Sequence, residues 1–350
     1  MSTADAVWWV LLVGVTAYAV LAGADFGAGF WSLVAGGGEE GTRARELIDW
    51  AIGPVWEANH VWLIFVLVVL WTGFSSAFES IFSTLFIPLS LAALGIVLRG
   101  SGFAFHKTAR RLKGRRAAER MFGLSSVLTP FFLGTVVGAV ASGRVPVGNA
   151  TGDPVTSWLN PVSLVIGALF VATSTYLAAV FLVSDARRAG APDLEHYFTV
   201  RALAAAVVAG VLAVAGIVTL RADARFVYDG LTSDALPLVI ASVVCGAAVL
   251  GVLHRRARRG ARPLAVGAVV AIVWGWGVAQ HPYLLPQTLT IDAGAAPGAT
   301  LTSLLVVFGV ALLLVIPSIV LLFTLAQRSL IEETSGPQAP DADPRTRTHA

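Results

Sequence analysis

The sequence predicts an all-α integral membrane protein with nine transmembrane helices. Three observations carry that prediction. The 350 residues are 56% hydrophobic and only 13% charged, with a mean hydropathy of +0.78, far outside the soluble range. The apolar residues gather into runs of the roughly 20 residues needed to cross about 30 Å of hydrocarbon. The basic residues fall into alternate connections between those runs, as topology demands. A formal net charge of +3 is too small to suggest a nucleic-acid partner. The one cysteine, Cys245, sits inside an apolar run and offers neither a disulfide nor a CxxC site within the chain. The opening "MSTADAVWW" has no basic n-region, so it does not read as a secretory signal.

The first span, 7–34, is broken only by Asp25 in "LAGADFGAGF". "AGGGEEG" after it follows a membrane helix rather than a strand and lacks the Lys-Ser/Thr ending of a phosphate loop, so it predicts a flexible turn. The second span, 50–74, contains "GPVWEANHVWLIFVLVVL", which puts Glu57, Asn59 and His60 into an apolar stretch. The third, 78–100, ends at Arg99. Spans at 121–142, 159–184, 201–220, 236–254, 264–280 and 301–327 follow, the run at 264–280 being the shortest. Pro88, Pro130 and Pro317 interrupt three of the nine. Backbone in lipid must bond within its own segment or in a closed barrel, and no short alternating strands are evident, so helices are required. Residues 1–330 form one polytopic membrane domain, and 331–350, polar and Pro-rich, read as a disordered tail.

The basic residues fix the orientation. "FHKTARRLKGRRAAER" carries seven Lys or Arg and "HRRARRGAR" five; the connection after span 5 has three, that after span 1 two, the tail three, and Arg99 makes 21 in all. The opposite face has only Arg144, Arg221 and Arg225. The positive-inside rule makes the first set cytoplasmic, with the N-terminus outside and the C-terminus inside, as nine spans require. "RRLKGRR" could also bind anionic membrane lipid, but topology alone accounts for it.

Ionisable groups within spans are functional candidates by default. They are Asp25, Glu57 and His60, with Glu79 and Arg99 at the ends of the third span. At 1.5 Å per residue, Asp25 lies about 27 Å, Glu57 about 24 Å and Arg99 about 31 Å from the outer face. Three charged groups on three consecutive helices thus fall near one level, in the cytoplasmic third of the membrane. An Asp25–Arg99 pair would occupy one carboxylate and leave Glu57 over. Glu57 then reads either as part of an ion-pair cluster holding helices together or as a proton-conducting carboxyl. Asn59 and His60, the latter one turn away, could orient it; the plainer role for His60 is to hydrogen-bond Glu57. His60 is the only histidine well inside a span, and the methionines are Met1 and Met121, so the chain is poorly equipped to ligate a haem or other metal by itself. Trp8 and Trp9 fit an outer interfacial belt, while Trp56 and Trp62 could contact a partner or a quinone, core packing being the plainer account.

"GADFGAGF", "GPVWEANHVWLI", "GIVLRGSGFAF", "ASGRVPVGNATGDPVTSWLNP" and "GWGVAQHPYLLPQTLTIDAGAAPGATL" resemble subunit II of cytochrome bd-type quinol oxidases, with the cyanide-insensitive branch most alike. The resemblance runs from the first span to the ninth. It implies two four-helix bundles plus a peripheral helix, in the bacterial cytoplasmic membrane. It also implies a heterodimer with a larger subunit I that holds the haems, b and d, and the quinol-binding loop, and reduces oxygen to water. Some members also hold a structural quinone in subunit II, and small accessory subunits are compatible with the resemblance. Protons come from the cytoplasm, and Glu57 matches the family's subunit II acid on that path. His60 stands where Gln or Glu is common in the family.

Two other readings share these features. A proton-coupled secondary transporter would also have many spans, intramembrane carboxylates and Pro-interrupted helices, yet no internal repeat is evident and the ionisable groups lie off the midplane. A purely structural membrane anchor would make Glu57 dispensable.

Overall fold

The structure, a computed structural model, describes residues 2–52, 56–108, 112–255 and 260–327, with side chains undescribed at 52–60, 103–119, 315–316, 319–320 and 322–327. The chain divides into two units, Met1–Leu301 and Thr302–Ala350. The expected tail, 331–350, lies outside the described residues.

Helix α1, Thr3–Val34, opens with a reciprocal cap: the Asp5 amide donates to Ser2 Oγ at 3.0 Å and the Ser2 amide to Asp5 Oδ2 at 2.9 Å. Helix α2, Glu39–Ile52, buries Ala44, Leu47 and Ile48 and exposes Trp50, the one-sided pattern of a helix lying in an interface. Helix α3, Trp56–Gly73, lies within the second span expected over 50–74, and residues 53–55 between it and α2 lie outside the described residues. The turn expected over 35–41 gives way to α2 at Glu39, with Gly36 at φ 81° in the left-handed region just before it.

The expected third span, 78–100, is not one helix. Helix α4, Ser75–Thr84, is turned 117° from α3, and α5, Phe86–Thr108, starts anew after the fully buried Leu85. Hydropathy does not separate a helix that crosses from one that lies across the end of its neighbour. The cue was Pro88, whose missing N–H costs least in the first turn of a helix, where it stands in α5. Two hydroxyls hold α4 in place, Ser80 Oγ accepting from the Gly148 amide at 2.9 Å and Ser83 Oγ from the Ala150 amide at 2.8 Å.

Helix α6, Leu112–Ala141, carries Pro130. Helix α7, Pro161–Arg188, is capped by Asn160, which accepts from the Ser163 amide at 3.0 Å. Then come α8, Pro192–Asp223; the short α9, Arg225–Thr232; α10, Leu236–His254; and α11, Ala261–Gln280. After α11 a small antiparallel pair, β1 (Tyr283–Leu285) with β2 (Leu289–Thr290), breaks the expectation of no strands. A strand this short leaves no alternation to read. Helix α12, Ile291–Gly294, precedes α13, Gly298–Gln327, which carries Pro317.

Among the described residues, six helices are long and apolar enough to cross a membrane: α1, α7, α8, α10, α11 and the Arg120–Ala141 part of α6. A bent α3–α4 segment makes a seventh if it is one span, and Phe86–Gly102 and Gly298–Leu314 are shorter apolar stretches. The centre of the first unit is the contact of α1 with α6 and α7. It is close because glycines face it. A Cβ at Gly27 would collide with the Ser174 carbonyl of α7, and Gly134 of α6 would meet Gly167 Cα at 2.8 Å. Outward, large apolar residues are bare to the surroundings, among them Val61, Ile64, Val68 and Trp71 along one stripe of α3 and Val207, Val211, Val214 and Val218 on α8. Exposed apolar area of that extent marks contact with lipid or protein.

A buried ion pair as the candidate functional site

Asp25 stands on α1, Arg99 on α5 and Ser126 on α6, and the three meet in the interior. Arg99 is fully buried and Asp25 is 4% exposed. Arg99 Nη2 donates to Asp25 Oδ1 at 2.6 Å and to the Asp25 backbone oxygen at 3.0 Å. Its Nη1 donates to Ser126 Oγ, which in turn donates to the Phe122 carbonyl at 2.6 Å. The guanidinium lies 4.1 Å from the Phe122 ring centre and 5.0 Å from that of Phe26, where the ring quadrupoles add attraction for the cation. Gly29, one turn beyond Asp25, makes room for this: a Cβ there would collide with Ser126 Oγ and come within 3.0 Å of Arg99 Nη1.

The pair is not fully matched. Among the described residues, Asp25 Oδ2, Arg99 Nε, Tyr18 Oη and Thr129 Oγ1 are buried without a hydrogen-bond partner. Tyr18 is seven residues before Asp25 on α1, on the same face. A polar interior with unspent donors and acceptors is the kind of site that ordered water enters.

The depth of about 31 Å expected for Arg99 assumed an unbroken third span; from Phe86 the rise to Arg99 is about 20 Å. The two charges meet nonetheless. Ser126 was not singled out by the sequence, although a small hydroxyl inside an apolar stretch, "GLSSVLTPFF", is a recognisable signal. The backbone of 56–60 is helical, but the side chains of Trp56, Glu57, Asn59 and His60 lie outside the described residues. Trp62 is half-buried and meets Phe65 edge-on at 6.2 Å. Glu79 is exposed on α4. His196, His254 and His281 are exposed at or beside helix ends, and among the described residues no group of three or more His, Cys, Asp or Glu could hold a metal. The described residues thus offer no axial pair for a haem.

Long apolar helices, a glycine-packed centre and a charge pair buried between three of them define a polytopic helical membrane protein with a polar interior site. The chain belongs to the cytochrome bd terminal oxidase subunit II family, whose model matches residues 3–326. It is similar to the putative cytochrome bd menaquinol oxidase subunit II of Bacillus subtilis (strain 168), with 26% identity over 313 residues, 86% of this chain and 88% of that one. It is also similar to cytochrome bd-I ubiquinol oxidase subunit 2 of Escherichia coli (strain K12), 27% identical over 139 residues, or 39% and 36% of the two chains. The solved structure of bd oxidase from Geobacillus thermodenitrificans matches with a TM-score of 0.78 and 28% identity, over 93% of this chain and 98% of that one. The protein is accordingly a multi-pass protein of the bacterial inner membrane.

Proposed function

We propose that this chain is the non-haem-ligating subunit II of a quinol:O2 oxidoreductase. A partner, subunit I, holds haems b and d and carries electrons from quinol to oxygen, and this chain contributes part of a proton route from the cytoplasm. In this reading the six long helices, α3, α5 and α13 make nine crossings, in two four-helix bundles and a peripheral helix, with the N-terminus outside and the C-terminal tail in the cytoplasm.

The observation that carries the proton route is the half-matched Asp25. Its Oδ1 is taken by Arg99, while Oδ2 has no partner among the described residues. Glu57 falls near the same level. Helix α3 packs along α1 where Gly14 faces Phe65 and Val66. From that contact Asp25 is about 16 Å along α1, and the backbone of residue 57 about 12 Å along α3, in the same direction because the helices run oppositely. Apolar surroundings raise a carboxyl's pKa and a neighbouring cation lowers it, so an acid set between the two can take a proton and release it. Glu57 has that role here, with Asn59 and His60 orienting it or the water beside it. Asp25, held by Arg99, keeps a polar wall on the route. In this reading no electron-transfer step runs through this chain, and the described histidines, His196, His254 and His281, lie at or beside helix ends. Trp56 and Trp62 are assigned to contact with subunit I or a quinone.

In the assembled complex, Glu57→Gln keeps size and hydrogen bonding but cannot ionise. It leaves haem content near that of the parent and slows oxygen consumption tenfold or more, since about 1.4 kcal/mol of added barrier suffices. Glu57→Asp retains much of the activity. Parent-like turnover by Glu57→Gln with all haems present would make the residue structural and end the proton-route reading.

A further inference from the structure

A second polar site lies away from the ion pair, where the end of α7 meets the starts of α8 and α11. Helix α7 closes in a Schellman motif: the Ala191 amide donates to the Ala186 carbonyl at 3.0 Å and the Gly190 amide to that of Arg187 at 3.2 Å, with Gly190 at φ 65°. That turn sets Arg187 and Arg188 beside the first turn of α11, where Arg262 stands. Together with Ser184 they line a cavity of about 260 Å3, several times the roughly 30 Å3 of one water.

The lining is short of negative charge. Arg188 and Arg262 share one oxygen, Asp185 Oδ1, the latter at 2.6 Å, and Arg187 Nη2 donates to Glu195 Oε1 at 2.6 Å. Three guanidiniums therefore face two carboxylates. Arg262 is fixed by a 2.8 Å bond from Nη2 to the Phe181 carbonyl and by the Phe181 ring 5.1 Å away, and its buried Nε has no partner among the described residues. The side chains are 26% (Arg187), 32% (Arg262) and 54% (Arg188) exposed, so the cavity is built yet open. It sits at the ends of apolar helices, the level of lipid headgroups, and Arg262 is in the first turn of α11, the positive end of that helix.

We propose that this cavity binds a phosphate-bearing anion. Guanidinium forks match phosphate oxygens two at a time, and the excess positive charge favours an anionic over a zwitterionic ligand. The phosphate can come from the headgroup of an anionic lipid or from the free ion.

The test uses the purified complex containing this chain, in detergent and stripped of lipid. Dioctanoyl-phosphatidylglycerol, dioctanoyl-phosphatidylcholine and inorganic phosphate are titrated separately, with binding read by native mass spectrometry and by melting temperature. Saturable binding of phosphatidylglycerol at least tenfold tighter than phosphatidylcholine identifies a lipid source, and saturable binding of inorganic phosphate identifies the free ion. In either case Arg188→Gln, the most exposed of the three and so the safest for folding, weakens binding about tenfold, and Arg262→Gln does the same. Arg201→Gln, on the same helix as Glu195 but outside the cavity, leaves it unchanged. The proposal is overturned if no ligand saturates, if phosphatidylcholine binds as well as phosphatidylglycerol with no binding of inorganic phosphate, or if Arg188→Gln binds like the parent.

Discussion

Arg99 bonds to α1 and α6 through the two ends of its guanidinium. A charge buried this deeply is stable only while its partners remain, and removing one partner of such a pair costs about 3–5 kcal/mol. Arg99→Leu should therefore sharply lower the amount of assembled complex recovered from membranes. Adding Asp25→Asn should restore part of it, because the second change removes the stranded carboxylate; losses that simply add would mean that the two residues act independently. Asp153 shows how an exposed carboxylate can matter locally. It accepts from the Thr156 amide at 2.7 Å and the Val155 amide at 2.9 Å, and these bonds hold its pKa below the usual carboxylate value. A depressed folded-state value means that the contribution is present above the unfolded pKa and is lost as pH falls through the folded one. Protection of the Val155 and Thr156 amides against exchange, taken relative to the intrinsic rate at each pH, should fall as acidification protonates Asp153, and Asp153→Ala should show the low protection at neutral pH as well.

At the scale of the helix, small residues decide how closely elements approach. Gly27→Ala would drive a methyl into the Ser174 carbonyl of α7, so α1 must shift; the expected loss is roughly 1–3 kcal/mol, read as a lower inactivation temperature. Gly210→Ala on α8, where a Cβ meets nothing within 4 Å, should leave that temperature unchanged or raise it. Hydrophobic runs made most helices legible in the sequence, since each of α1, α7, α8, α10 and α11 is a long apolar run with few charges. Asp25 and Arg99 were legible for the complementary reason, that a charge within such a run demands a partner. The break at Leu85 was hidden because α4 and α5 are both apolar, with Pro88 in the first turn of α5 as the cue. Helix α2 was hidden by its mixed composition, whereas Ser126 carried a readable signal, a small hydroxyl in an apolar run, that does not by itself name its partner.

At the scale of the molecule, the outer surfaces of α3, α8 and α10 present Val, Ile, Leu and Trp among the described residues. That distribution suits a chain embedded in lipid and seated beside a second membrane subunit. On the proposed division of labour, this chain expressed without its partners should bind no stoichiometric haem. A Soret band near one haem per chain in that preparation would place a cofactor here and overturn the division. Side chains near 57–60 could then be tested for ligation, His60 first.

The Asp25–Arg99 contact spans 74 residues of sequence. In biogenesis that separation becomes a waiting time. At roughly 5–20 residues per second of synthesis, the acid leaves the ribosome about 4–15 s before its counter-charge. Helix α1 must therefore enter the bilayer with a lone carboxylate, a cost on the order of 3 kcal/mol that its remaining apolar residues have to cover. Slowing or pausing translation between these two positions should lengthen the interval in which nascent chains are vulnerable to quality-control proteolysis.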